Sequence, residues 1–173
     1  MKKSKLQVLV LAMITAGCVS LANAADKAAA ELTATEGNTV KGAVTFNQKG
    51  DKVAVVADVS GLPANSEHGF HVHEKGDCSA PDATSAGGHF NPGNKPHGHG
   101  SAERHVGDMP NLKSDANGVA KVSFELDLLS LKEDSPNNII GRAVIVHKNP
   151  DDYTSQPVGN AGARIACGVI KAQ

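Results

Sequence analysis

Ala120-Lys121-Val122-Ser123-Phe124-Glu125-Leu126 alternates apolar and polar residues without a break. A period of two puts Val122, Phe124 and Leu126 on one face of an extended chain and Lys121, Ser123 and Glu125 on the other, the pattern of a half-buried β-strand. Outward from this stretch the rhythm recurs. Val40, Gly42, Val44 and Phe46 oppose Lys41, Thr45 and Asn47, and Val53, Val55, Ala57 and Val59 oppose Lys52 and Asp58. Turn residues separate the runs, with Gln48-Lys49-Gly50-Asp51 between the first pair and Asp115-Ala116-Asn117-Gly118 before Ala120. No stretch keeps a helical period, so the expected fold is all-β, a sandwich or Greek-key barrel. Two segments break the rhythm, 76–111 and 147–164, both rich in Gly and Pro. Loops this long in a compact domain are usually functional or disordered.

Residues 1–24 read as an export signal: Lys2, Lys3 and Lys5, an apolar run over residues 6–19, then Ala22-Asn23-Ala24 as a cleavage site. The run falls short of the ~20 apolar residues that span a bilayer, so no membrane span is expected. The expected domains are therefore a signal peptide, 1–24, and a mature domain, 25–173, in the periplasm. A competing reading takes Thr15-Ala16-Gly17-Cys18 as a lipoprotein box that would leave Cys18 lipidated. Cleavage removes three lysines and no acid, so the mature domain is net acidic and a basic nucleic-acid binder is disfavoured. It leaves Cys78 and Cys167, an even pair in an exported chain, and hence one expected disulfide; two unpaired buried thiols are the alternative.

The histidines carry the chemistry. Residues two apart on a strand share a face, so His71 and His73 can grip one ion, and His147, at the end of the apolar run 143–146, can join from a neighbouring strand. Taken alone, such a pair more often decorates a polar sheet face. The loop adds His89, His97, His105 and Asp108, three imidazoles and a carboxylate, which is a complete tetrahedral set for zinc. Its bland reading is a solvated histidine-rich loop, against which the irregular spacing argues. Four imidazoles suit copper(II), and both sets are complete only if His89 serves twice, as an imidazolate between two dications.

Five strings resemble an exported bacterial copper/zinc superoxide dismutase. They are Gly69-Phe70-His71-Val72-His73-Glu74, Gly88-His89-Phe90-Asn91-Pro92, Arg104-His105-Val106-Gly107-Asp108, the run 140–147 ending in His147, and the run 159–170 containing Arg164 and Cys167. The resemblance implies an eight-stranded Greek-key barrel of immunoglobulin-like architecture. It also implies one copper ion (His71, His73, His89, His147) and one zinc ion (His89, His97, His105, Asp108) per subunit. His89 and Arg164 are then the catalytic pair, Arg164 attracting the superoxide anion beside the copper. Asp151 orients ligand imidazoles of both metals, and Cys78 pairs with Cys167. The family includes monomers and dimers, so a homodimer is compatible with the sequence. The interval from His97 to His105 is one residue shorter than the usual family spacing, and His99 stands nearby as a rival to His97. His68 matches a structural histidine and is left out of the ligand sets.

The expected function is dismutation of superoxide. Two rivals are a periplasmic copper or zinc carrier without turnover and a partner-binding sandwich. A copper(I) carrier usually wants Met or Cys ligands, and the mature chain has only Met109 beside its two cysteines.

Overall fold

The computed structural model describes residues 25–100 and 103–173; the expected export signal and Cys18 lie outside the described residues. The alternating stretches form strands: β1 (Lys27–Ala34), β2 (Lys41–Lys49), β3 (Lys52–Ser60), β4 (Glu67–His68), β5 (Phe70–His73), β6 (Leu112–Lys113), β7 (Ala120–Leu126), β8 (Ala143–His147), β9 (Arg164–Val169) and β10 (Lys171–Ala172). One turn of 3-10 helix, Thr84–Ala86, lies in the first long loop. Among the described residues no helix is long and apolar enough to cross a membrane.

An antiparallel eight-stranded sheet runs β5-β8-β9-β1-β2-β3-β7, with β10 also paired to β1. β9 and β10 share one register along β1, from Ala34 opposite Ala166 to Ala28 opposite Ala172, so together they act as one interrupted strand. The chain leaves β3 near one end of this order, enters β5 at the other, returns to β7 beside β3 and crosses again to β8 beside β5. That double crossing is the Greek key. The β2–β3 connection is a two-residue turn in which Gly50 takes φ 61, a left-handed conformation that glycine adopts without a Cβ clash.

Val44, Phe46, Val53, Val55, Val59, Phe70, Val72 and Ile170 are fully buried inside the barrel. Each such side chain stabilises by about 1.5–3 kcal/mol relative to exposure. β2, β3 and β7 leave their outer face to solvent, polar on β7 but including the exposed Val56 on β3. β5 and β8 do not, because every residue in them is buried. Ile145 packs outside the barrel with Ala83, Ala86, Ala143 and Cys167, beneath the first long loop.

That loop also replaces a missing wall. The β-ladder is open between β5 and β7, and His89, Phe90, Gly107 and Asp108 lie along the free edge of β5. The Val72 N–H donates to the Gly107 carbonyl at 2.9 Å, the Phe90 N–H donates to the Val72 carbonyl at 2.8 Å, and His71 bridges to Asp108. Cys78 and Cys167 are disulfide-bonded, with Cα atoms 5.8 Å apart and a sequence separation of 89. Closing a loop of that length stabilises by roughly 4–5 kcal/mol at most in the chain-entropy view. The bond fixes the loop to β9 beside Arg164.

Candidate metal centre

Strands position the first group of histidines. β5 and β8 pair with His71 opposite Ile145 and His73 opposite Ala143. His147 follows a register shift after Val146, and its N–H donates to the Gly69 carbonyl at 2.8 Å. A further bridge sets His89 against His73. Two donor sets result: His71, His73, His89 and His147, and His89, His97, His105 and Asp108. In each, all four residues are buried and their candidate ligand atoms lie within 4.8 Å of one another. His89 belongs to both.

Hydrogen bonds determine which nitrogen each ring offers, the proton sitting on the nitrogen that faces an acceptor. His73 Nδ1 donates to the Gly87 carbonyl at 2.9 Å, and His147 Nδ1 donates to the Gly162 carbonyl at 3.0 Å. Their Nε2 atoms then face each other at 3.3 Å. His71 Nε2 donates to Asp151 Oδ2 at 2.8 Å, which leaves Nδ1 as its free nitrogen. His97 Nε2 donates to Asp151 Oδ1 at 2.9 Å, which turns its Nδ1 towards Asp108 Oδ2, 3.1 Å away. His89 Nδ1 lies 2.9 Å from Asp108 Oδ1 and 3.3 Å from His105 Nδ1, so its Nε2 points into the other set.

Two ring nitrogens, His71 Nδ1 and His89 Nε2, are buried with no hydrogen-bond partner among the described residues, and His97 Nδ1 is buried with no aligned hydrogen bond, facing the Asp108 carboxylate. A buried polar atom left so costs about 1–3 kcal/mol. Here these atoms converge with neighbouring lone pairs, and a cation in each set would satisfy them. The four-imidazole set has the donors copper(II) favours, and the set of three imidazoles and a carboxylate has those of zinc.

The two sets differ in protonation. Burial pushes His71 and His73 below the ordinary histidine value, with Asp151 opposing for His71 and His89 reinforcing for His73. Burial likewise takes His89 to about 4 against its Asp108 hydrogen bond, and His147 to about 3 with help from His71. These rings are neutral at pH 7 and present free lone pairs. For His97 burial also works downward, but the Asp108 carboxylate facing Nδ1 and the Asp151 carboxylate bonded to Nε2 outweigh it and raise the ring to about 9. Against burial, His105, His89 and His97 hold Asp108 far below the carboxylate range, and His71 and His97 do the same for Asp151. A proton on His97 thus supplies, between two carboxylates, positive charge of the kind a cation would bring.

Arg164 opens β9 and is half-buried. Its Nη1 donates to the Ala83 carbonyl and its Nη2 to the Gly87 carbonyl, both at 2.6 Å. The Gly87 carbonyl is the same one that orients His73. Two fixed hydrogen bonds hold the guanidinium beside the four-imidazole set, where its charge further lowers His73 and His147.

Asp151, singled out in the sequence through resemblance alone, accepts from a ring of each set. His99 lies outside both; it is exposed and stacks on Tyr153 with ring centroids 4.1 Å apart. His68 is buried, and its Nδ1 donates to the His147 carbonyl at 2.9 Å. Sequence reasoning missed Gly87, Asn111, Gln156 and Gly159. A Cβ on Gly159 would collide with the Asp151 carboxylate and lie 2.7 Å from His97 Nε2, so this backbone is in contact with the bond between them. A glycine in a loop gives no hint of such contact, and neither do two loop amides.

Comparisons with known proteins agree with this geometry. A family model described as copper/zinc superoxide dismutase (SODC) matches residues 40–170. The chain is 44% identical over 149 residues to copper-zinc superoxide dismutase 2 of Aquifex aeolicus, covering 84% of this chain and 86% of that protein. With the copper-zinc superoxide dismutase of Saccharomyces cerevisiae it shares 45% identity over 140 residues, 76% of this chain and 89% of that protein. Among solved structures, the clock protein EA4 superposes with a TM-score of 0.78 at 44% identity, covering 87% of this chain and 96% of that one. A SOD-like protein from Bacillus subtilis gives 0.74 at 39% identity, with coverage of 81% and 95%.

Proposed function

Because the chain belongs to the copper/zinc superoxide dismutase family, we propose that His71, His73, His89 and His147 hold its copper and that His89, His97, His105 and Asp108 hold its zinc. The protein is an oxidoreductase that converts two superoxide anions and two protons into dioxygen and hydrogen peroxide. When bound, copper supplies the one-electron exchange and zinc supplies positive charge without redox chemistry. The observation that carries the residue assignment is the convergence of buried ring nitrogens without an aligned hydrogen bond, His71 Nδ1, His89 Nε2 and His97 Nδ1, on two buried donor sets that share His89.

The remaining roles follow from the side chains. Arg164 draws the anion towards the copper set and orients it, with two of its donors already fixed to carbonyls. His89 holds or releases a proton at Nε2, the atom that points into the copper set and has no hydrogen-bond partner among the described residues. Asp151 keeps His71 and His97 in the tautomers that offer Nδ1 inward. The basic tracts of a nucleic-acid binder are absent from the domain's acidic balance.

Export to the periplasm, with cleavage before Ala25, is the compartment this reading assigns. It is supported by the three-part pattern of residues 1–24 and by the Cys78–Cys167 bond, since disulfides persist where the surroundings oxidise. N-terminal sequencing of protein recovered from the periplasm should begin at Ala25; an acylated Cys18 at the terminus would replace this reading with the lipoprotein one. The function is tested by metal content and superoxide decay on the mature protein. One copper and one zinc per chain with rapid decay are expected. Both metals bound while decay stays at the background rate would overturn the catalytic assignment in favour of a carrier.

A further inference from the structure

We propose that Asn111 and Gln156 are positioning residues that form a reciprocal clamp between the two long loops, setting Asp151 and His97; the inference rests on the metal assignment above. Asn111 sits in the loop that carries His89, His97, His105 and Asp108, yet it spends both ends of its amide on the other loop. Its Nδ2 donates to the Asp151 carbonyl at 2.9 Å, and its Oδ1 accepts the Asp151 N–H at 3.0 Å. Gln156 does the converse from the 147–164 loop. Its Nε2 donates to the His97 carbonyl at 2.9 Å, and its Oε1 accepts the His97 N–H at 2.8 Å.

A primary amide carries one acceptor and one paired donor, so each contact fixes orientation as well as distance. The two clamped residues then meet, with His97 Nε2 donating to Asp151 Oδ1 at 2.9 Å. Tyr153 closes the arrangement. Its hydroxyl accepts the Asn111 N–H at 2.8 Å, and its own N–H donates to Asp151 Oδ1 at 2.7 Å. Tyr153 holds φ 63, a region uncommon for a residue with a Cβ, and such residues concentrate where function demands a fixed geometry.

The clamp explains what the ligand list does not. His97 and His99 flank Gly98, whose N–H donates to Asp108 Oδ2 at 3.1 Å, and nothing in the sequence of that short stretch selects one ring over the other. Gln156 does so by gripping the His97 backbone on both sides, while His99 is left stacked on Tyr153. Neither amide touches a candidate ligand atom. Their effect on the metals passes through Asp151 and His97, in the way partners beyond the ligands orient a site and tune its affinity.

Mature wild-type protein and Gln156→Ala, whose side chain is exposed and removable without opening the core, are loaded with zinc and challenged with a chelating dye. In parallel, cobalt(II) replaces zinc and its visible bands are recorded. Gln156→Ala should release zinc about three- to tenfold faster, below the ~10–100-fold cost of losing a direct partner of a ligand, and shift the cobalt bands. Gln156→Glu, which keeps the acceptor and loses the donor, should fall between. Asn111→Ala should act likewise alone, and add nothing in an Asp151→Ala background. If the buried Asn111 variant does not fold, Gln156→Ala decides alone. Wild-type zinc release and unshifted bands in Gln156→Ala overturn the clamp, whatever its melting temperature. A wild-type protein that takes up no zinc overturns the metal assignment itself, before any variant is compared.

Discussion

The two halves of the metal centre are built by different means. Three of the four residues assigned to copper, His71, His73 and His147, stand on β5 and β8, where backbone pairing sets their spacing independently of any side chain. The four assigned to zinc all come from one loop: backbone bridges tie His89 and Asp108 to β5, while His97 and His105 are held by hydrogen bonds with Asp151, Gln156 and Asp108. The strand-built half is a rigid frame that offers neutral rings. The loop-built half is a web of charged and amide contacts, and its geometry depends on every partner in it. His89 is the ligand the two share, and the His73–His89 and His71–Asp108 bridges carry the frame's precision into the loop.

The comparison breaks most visibly at that ring. His89→Ala should lower superoxide removal by at least about a hundredfold, since outer partners alone account for ~10–100-fold at such sites, and it should lower zinc content more than copper content. Metal analysis of the purified variant checks this: each set loses one of its four ligands, but the three left to copper stand on strands and the three left to zinc stand in the loop. Unchanged zinc would show that His89 is not shared.

Asp151→Ala sharpens the contrast without removing a ligand. It frees His71 Nε2 and His97 Nε2 together. Zinc affinity should fall about 10–100-fold, and copper affinity by less, because His71 is still fixed by β5. Competition with chelators of known affinity measures both; equal losses would mean that the strand frame confers no independence. Arg164→Glu tests a residue that belongs to neither set. Turnover at low salt should drop roughly tenfold, within the range that electrostatic steering commands, and both metals should stay. Loss of copper instead would assign Arg164 to holding the Gly87 carbonyl for His73.

The same division decided what could be read from the sequence. Alternation in Val53–Val59 and Val122–Leu126 reports a strand directly, so the all-β architecture and the common face of His71 and His73 were legible. Alternation said less about β5 and β8, because their second face is buried by a loop rather than by another strand, and histidine reads as polar in either place. In the loops the residue types could be read but their geometry could not. Asn111 finds Asp151 across 40 residues and Gln156 finds His97 across 59, and no local spacing encodes such pairs. Asp151 and Arg164 were reached only through family resemblance, and the choice of His97 over His99 follows from partners that the stretch itself does not contain.

The smallest effect is also the most specific to this division, because the two halves should titrate in opposite senses once both metals are stripped by chelation. His89 and His147 stand at about 4 and 3 in the folded chain against 6.5 when unfolded. The unfolded chain therefore binds more protons below pH 6.5, and stability falls on that side as pH drops. His97 stands at about 9, so its contribution is complete below pH 6.5 and is lost as pH rises through 9. Metal-free protein should therefore be most stable at about pH 7, and moving from about pH 8 to 9 should cost it about 1 kcal/mol in urea unfolding. Zinc bound at His97 Nδ1 replaces that proton, so the zinc-loaded protein should lose the alkaline slope and keep the rest. An alkaline slope that persists unchanged with zinc bound would mean that the metal does not reach His97, and the loop-built half would have to be redrawn around another ligand.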